Sequence, residues 1–321
     1  MKSELRDLTD ETLDDALTVI ADRFDDEAVV QTRQVMANPL RREFAAAGDV
    51  AYEDGKPVGV QAAILRRLYL GQRPLFGVVG GLLAMEEKSS PVSLLGLMRK
   101  TVAPRYGSEI FFANTSIPVS MKMNRMLGVK GMGPESCGRF RFAVTWWPKF
   151  LRWMLPNAQS RQLTEFSPAL FGEFWSAYLT HNRGLVASRT PEELDWMFGA
   201  RLKTGECVMF GEFEEERLLG YLIIKPTHGG RRWMVADMIA LEDDADVMTR
   251  LVKSAVRYAR KTGGTFFLEC VGFPAFAARA IARGLPWGRK APNNSFIYKA
   301  DFEIPERSWF FGPYDGDRCM V

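Results

Sequence analysis

The sequence predicts an α/β (α+β) chain of two similar halves. Each half is a mixed, mostly antiparallel sheet with a central parallel strand–helix–strand unit and flanking helices. Three observations carry this. Residues 82–128 return as residues 238–284 at one constant offset and without a gap. Ala84 falls on Ala240, Glu86 on Glu242, Leu95 on Leu251, Ala103 on Ala259, Gly107 on Gly263, Phe111 on Phe267, Pro118 on Pro274 and Gly128 on Gly284. Unrelated stretches of this length share about three identities on ordinary residue usage. These are eight, and four of them fall on structural punctuation: a turn glycine, a strand Phe, a helix-opening Pro and a helix-closing glycine, the pattern of a duplicated unit. Secondly, each copy reads as strand, helix, strand, helix, a length that implies a right-handed crossover between parallel strands. Thirdly, two helical stretches and a hairpin precede each copy. The competing account is two ordinary α/β units that look alike.

In chain order, residues 9–24 form the first helix: Asp10 and Glu11 favour its N-terminus, and Leu13, Leu17 and Ile20 share one face. Residues 27–44 form a second helix, ending near Gly48. Residues 50–64 read as a hairpin, two apolar runs joined by Glu53-Asp54-Gly55-Lys56, and a third strand spans 66–69. Residues 75–84 are a buried apolar run of strand length. Ser90 then supplies an N-cap and Pro91 the first helical position. Leu94, Leu95 and Met98 share a face of that helix. Gly107 stops it, residues 110–113 make the next strand, and Pro118 opens a short helix ending at Gly128. Residues 139–145 close the half as its final strand.

The domain boundary is placed at 150, giving halves of 1–150 and 151–321. Around it, Trp146, Trp147 and Trp153 interleave with Lys149 and Arg152, and Pro148 and Pro156 break any helix. The segment 146–156 reads as a linker packed between halves or, alternatively, as a peripheral membrane contact. The second half repeats the order. Residues 168–180 are a helix, and Thr190 with Pro191, Glu192 and Glu193 opens another. Residues 206–213 and 217–225 form a hairpin, with Gly220 placed like Gly59 on the second strand. The second copy of the unit follows, with strands at 233–241 and 265–271 and helices at 247–261 and 274–283. A strand at 295–302 and an aromatic tail complete the chain.

Composition narrows the function. A net charge of +3, with no Lys/Arg block, does not call for nucleic acid. Four scattered cysteines include no C-x-x-C pair, so neither a disulfide framework nor a zinc ribbon is indicated. With only His181 and His228, no multi-His metal site is expected and a Ser-His-Asp triad has little room. No Walker A sequence occurs, and no G-x-G-x-x-G follows a strand. No apolar run reaches the roughly 20 residues of a membrane-spanning helix. The N-terminus does not read as a signal peptide, and a cytoplasmic location is expected.

The order of two helices, antiparallel strands, a buried fourth strand, a crossover helix, a fifth strand and a short helix resembles the GNAT acyltransferase fold, present twice as in tandem-GNAT proteins. Residues 109–114 and Met126-Leu127-Gly128 look like that family's fifth strand and the helix after it. The resemblance implies an acyl-coenzyme A-dependent N-acyltransferase, taking acetyl-CoA or another acyl-CoA and acting on an amine of a small molecule or sugar precursor. GNAT enzymes usually hold the cofactor pyrophosphate in a Q/R-x-x-G-x-G/A loop at the helix N-terminus that follows the fourth strand, where backbone N–H groups and the helix dipole meet the anion. Here 85–91 is Met-Glu-Glu-Lys-Ser-Ser-Pro and 241–246 is Leu-Glu-Asp-Asp-Ala-Asp, without a glycine in either. In the first copy Lys88, Ser89 and Ser90 are expected to receive the anion, or Ser90 is only an N-cap. The acidic second copy repels one.

The chemistry needs a proton acceptor for the amine and a donor for the developing oxyanion, between the splayed fourth and fifth strands. The candidates are Asn114, with Tyr106 on the preceding turn, in the first half, and Asp237 and Glu269 in the second. Two carboxylates beside an apolar wall are a route to a raised pKa, as a general base requires; alternatively they bind backbone N–H groups or an Arg. Cys270 reads as a small core residue and His228 as part of a hairpin turn. The tail residues 308–318 are expected to dock on the body, with Asp315 and Asp317 near an amine or serving only as a stapled end. Two rivals remain: a FemAB-like aminoacyl transferase, and a non-catalytic degenerate GNAT pair that serves as a binding or scaffold module.

Overall fold

The computed structural model describes residues 2–24, 26–42, 46–103, 108–115, 118–131, 138–143, 160–227, 232–262, 267–273, 288–291, 295–302 and 309–310. A charged edge strand, β1 (Ser3–Asp7), precedes α1 (Leu13–Ala21) and α2 (Asp26–Met36). The hairpin β2 (Gly48–Glu53) and β3 (Lys56–Leu70) follows, and the strand expected at 66–69 is the continuation of β3. Then come β4 (Arg73–Met85), α3 (Pro91–Val102), β5 (Ile110–Thr115), α4 (Pro118–Met126), β6 (Lys130–Gly131) and β7 (Gly138–Ala143). Ser90 caps α3 through its side chain, with Pro91 at the first helical position as expected.

The second half repeats the series. It runs β8 (Arg161–Leu163), α5 (Pro168–His181), β9 (Leu185–Ala187), α6 (Pro191–Leu194), a π-turn (Asp195–Gly199) and α7 (Ala200–Thr204). The hairpin β10 (Val208–Glu214) and β11 (Arg217–Thr227) leads to β12 (Arg232–Ala240), α8 (Ala245–Lys261), β13 (Phe267–Phe273), β14 (Gly288–Ala291), β15 (Ser295–Ala300) and β16 (Trp309–Phe310). The duplicated unit is present in both halves: β4 and β5 pair in parallel, and so do β12 and β13. Gly59 and Gly220 sit at matching bulges in the two hairpins. A Cβ at Gly220 would lie 2.8 Å from the Ile239 carbonyl oxygen, so only glycine lets the strands approach.

The sheets depart from the expected order. The first runs β1-β2-β3-β4-β5-β15-β6 and the second β8-β10-β11-β12-β13-β7-β14. Strand β7, expected to close the first half, pairs with β13 and β14 in the second sheet. In return β15, from the second half, pairs with β5 and β6 in the first. The halves therefore exchange their last strands, each completing the other's sheet.

The seam between them is packed. One continuous core joins Ile20, Val35, Ile64 and Leu68 to Phe171, Trp175, Tyr221 and Leu222. Tyr69 meets Trp175 edge-on at 5.7 Å. The π-turn docks on α2: Trp196 Nε1 donates to the Gln34 carbonyl at 2.9 Å, and Gln34 Nε2 donates back to the Trp196 and Met197 carbonyls. The guanidinium of Arg66, buried on β3, lies over the Trp196 ring. β9 extends the first sheet against the end of β3, and β16 of the tail pairs with β9, so this part of the tail docks as expected. Asp315, Asp317 and the segment 146–156 lie outside the described residues.

Candidate active site

Each sheet opens where its central parallel pair separates. In the first, β4 and β5 keep register through Gly77↔Ile110, Val78↔Phe111 and Val79↔Phe112, and then part. A bulge at the same level re-aims β4: Ala63 pairs with Gly80, but Gln61 pairs with Leu83. Gln61 Nε2 holds the bulge, donating to the Gly81 carbonyl at 2.9 Å and the Leu82 carbonyl at 3.4 Å. In the second sheet β12 and β13 pair at Trp233↔Leu268 and Met234↔Glu269, with the matching bulge at Ala236. A strand that leaves its neighbour inside a sheet turns peptide N–H and C=O groups toward a slot. Such a slot suits an extended chain that carries amides of its own.

The two slots differ in access. On β4, Gly80, Gly81, Leu82, Leu83 and Met85 are half-buried. On β12, all of residues 235–240 are 0% exposed. Asn114 lies on β5 two residues beyond Phe112, the last to pair with β4, and opposite Phe296 of β15. That register position is inside the splayed part of the first slot. Tyr106 and His228 lie outside the described residues, as do the side chains of Asn114, Glu269 and Cys270.

The backbone register does not set Asp237 and Glu269, the expected carboxylate pair, opposite each other. The parallel register aligns Glu269 with Met234, three residues short of Asp237, which is about 10 Å along the strand. Asp237 is instead saturated. Arg189 donates to it from Nε at 3.1 Å and from Nη2 at 3.0 Å, both residues being 0% exposed. The Tyr221 hydroxyl donates at 2.7 Å to Oδ2, the same oxygen that accepts from Arg189 Nε. With Arg189 Nη1 donating to the Ala187 carbonyl, this is a closed structural ion pair. A carboxylate held this way has no lone pair turned to a substrate.

The anion-receiving turn also departs from expectation. Lys88 is exposed on the β4–α3 turn, and Ser89 Oγ donates to the Glu86 carbonyl at 2.6 Å. The N-terminus of α3 already holds a carboxylate. Glu53 Oε1 accepts the Ser90 N–H at 2.8 Å and the Ser93 hydroxyl at 2.5 Å. Ser90 Oγ accepts the Val92 N–H, Pro91 has none, and the N–H groups of Ser93 and Leu94 go to the Ser90 carbonyl. Each of these first-turn donors therefore has a partner. In the second half Asp244 does the same for α8, accepting from Asp246 and Val247 at 2.7 and 3.1 Å. Just before it, Glu242 and Asp243 are both left-handed, at φ 53° and 54°. The Tyr178 hydroxyl donates to Asp243, whose carboxyl is pushed up to about 6 by burial against α5 although the residue keeps an exposed face.

A separate cleft of ≈ 360 Å³ lies on the seam, lined by Asp26, Glu27, Val30, Arg201, Cys207 and Lys225 among others. Burial pushes the Cys207 thiol up to about 11, which removes it as a nucleophile. Among the described residues no His/Cys/Asp/Glu group suits a metal ion, and no helix is long and apolar enough to cross a membrane.

Sequence reasoning missed Gln61 and Glu53. Gln61 carried a signal, a lone amide inside the apolar run 57–65. Glu53 reads as one more hairpin residue, and only the packing of β2 under α3 reveals its partners.

No family model matches the chain, and no curated protein matches it. Solved structures do. A GCN5-related N-acetyltransferase from Anabaena variabilis is similar with a TM-score of 0.63 at 12% identity, over 93% of this chain and 73% of that one. Saccharomyces cerevisiae N-myristoyltransferase with bound myristoyl-CoA is similar with a TM-score of 0.57 at 12% identity, over 93% and 79%. A tandem GNAT protein from the clavulanic acid biosynthesis pathway is similar with a TM-score of 0.52 at 14% identity, over 95% of this chain and 100% of that one. The chain has a GNAT-like fold.

Proposed function

We propose that this chain is an N-acyltransferase that takes its acyl group from an acyl-coenzyme A thioester and works in its first half. The observation that carries this reading is the slot between β4 and β5: from Gly80 to Met85, β4 keeps its pairing with β3 but has left β5, and all of this stretch except Ala84 is half-buried. A pantetheine arm has two amides and an extended form, so it lies along such an edge as an added strand does. The thioester carbonyl then arrives at the level of Asn114. An amine of a small molecule or sugar precursor attacks that carbonyl; the N–C bond forms, the C–S bond breaks, and the proton lost from nitrogen ends on the departing thiolate. Within this reading Asn114 donates to the developing oxyanion and Tyr106 returns the proton. Of the expected anion site only Lys88, exposed on the turn, stays open to a diphosphate, a solvent-screened contact worth little, because Ser89 and Ser90 are committed to Glu86 and to the cap. The second half, sealed along β12, serves as the partner that completes the sheet. Residues 1–150 and 151–321 are then two domains of one working unit.

Calorimetry with acetyl-CoA and with myristoyl-CoA tests this directly. Micromolar binding, lost when the slot is blocked by Gly81→Val, supports the reading; retained binding but lost transfer in Asn114→Ala supports the role of Asn114. Absence of binding at millimolar thioester sinks it. The second reading, a degenerate pair that only binds a partner, is favoured by one observation: carboxylates fill both helix N-termini.

A further inference from the structure

We propose that Glu53 is a specificity-determining residue: it closes the N-terminus of α3 to a diphosphate, so the first slot recognises the acyl-pantetheine arm of a donor and not its nucleotide end. This rests on the thioester reading above. Three features fix Glu53 in place. Its backbone is paired on both sides, with Ser3 of β1 and with Lys56 of β3. Its carboxylate takes the Ser90 N–H and the Ser93 hydroxyl, and Ser93 Oγ is in turn 3.0 Å from Ser3 Oγ. The residue is only 8% exposed, so the carboxylate has little room to swing away.

A phosphate at this helix end would therefore meet a buried negative charge instead of N–H donors. The flanking turn adds Glu86 and Glu87, the latter 3.1 Å from Arg23, against Lys88, so the balance stays negative. To admit a diphosphate the protein would have to move Glu53 and leave the Ser90 and Ser93 donors to be satisfied again. The slot itself makes no such demand, since it is formed by β4 and β5 beyond Val79. Recognition thus falls on the amides and the acyl group. A pantetheine thioester offers these whether it is part of coenzyme A or tethered to a carrier protein.

The test compares three donors on the full chain: acetyl-CoA, S-acetyl-pantetheine and an acetylated acyl carrier protein. The proposal expects acetyl-CoA and S-acetyl-pantetheine to bind the wild type within about threefold of each other. Tighter binding of the carrier-borne thioester also supports it and identifies the source of the arm. In Glu53→Gln, which keeps an acceptor for Ser90 but removes the charge, acetyl-CoA should gain about tenfold over S-acetyl-pantetheine. Tenfold tighter binding of acetyl-CoA by the wild type overturns the proposal, and so does an unchanged ratio in the variant. Should Glu53→Gln not fold, the wild-type ratio decides alone. Failure of all three thioesters to bind instead sinks the acyltransferase reading itself, and this proposal with it.

Discussion

Replacing Asp237 separates a structural acid from a catalytic one. In Asp237→Ala the Arg189 guanidinium keeps the Ala187 carbonyl but loses the carboxylate that took Nε and Nη2, at a site that is 0% exposed. Stranding a buried charge in this way costs about 3–5 kcal/mol. The Tyr221 hydroxyl loses the Asp237 carboxylate as well, for about 1 kcal/mol more. The halves share one core, so the loss is felt by the whole unfolding transition. For a chain of this size the melting temperature should fall by roughly 10 °C. The double variant Arg189→Met/Asp237→Leu removes both charges and should recover most of that loss, because an apolar pair of similar volume is about neutral there. Urea denaturation followed by circular dichroism measures the free energy of each protein. If Asp237→Asn were as stable as the wild type yet unable to transfer an acyl group, the ion pair would be incidental and Asp237 a working base. A double variant no better than Asp237→Ala would equally refute the reasoning.

Other perturbations probe the slot, the strained turn and the strand exchange. Gln61→Leu removes the amide that holds the β4 bulge and should cost about 1–3 kcal/mol in stability and about tenfold in thioester affinity; unchanged affinity in calorimetry would detach the bulge from binding. Burial raises the Asp243 carboxyl to about 6 from an ordinary 3.8, so its contribution is complete below about pH 4 and is lost as pH rises through 6. Asp243→Asn, which tolerates the left-handed backbone and still accepts from Tyr178, should therefore melt higher at pH 7.5 and not at pH 4; an equal shift at both pH values contradicts the assignment. Glu242→Gly should add about 1 kcal/mol by relieving the neighbouring left-handed strain, read from the same melts. Fragments 1–150 and 151–321, made separately, each lack the strand that completes their sheet and should not melt cooperatively, whereas co-expression should restore a folded pair. A cooperative melt of either fragment alone would show that the exchanged strand is dispensable.

Much of this fold was legible in the chain because its signals are local. Ser90-Pro91 marks a helix start by chemistry confined to one turn, and α3 begins there. The apolar run before it and the alternating hairpin around Gly55 became β4, β2 and β3, because period and turn residues act between near neighbours. β1, β8 and β9 were missed: they are three to five residues long, and β1 and β8 are largely charged or polar. Their strand form comes from the sheet edge each one finds. The site divides along the same line. The register position of Asn114 follows from strand length, while the fate of Asp237 depended on Arg189, forty-eight residues away in sequence.

By itself the sequence determined the duplicated unit, its parallel central pair, the helix caps and the absence of glycines at both phosphate turns. Tertiary structure alone decided which sheet each last strand joins. Strands β7 and β15 follow similar units, and any strand with open N–H and C=O groups can complete either sheet. Nothing in their periodicity separates the two pairings; the choice rests on long-range packing across the seam. The same reason hides Glu53. Its carboxylate is an exposed turn residue in one dimension and the anion at a helix end in three.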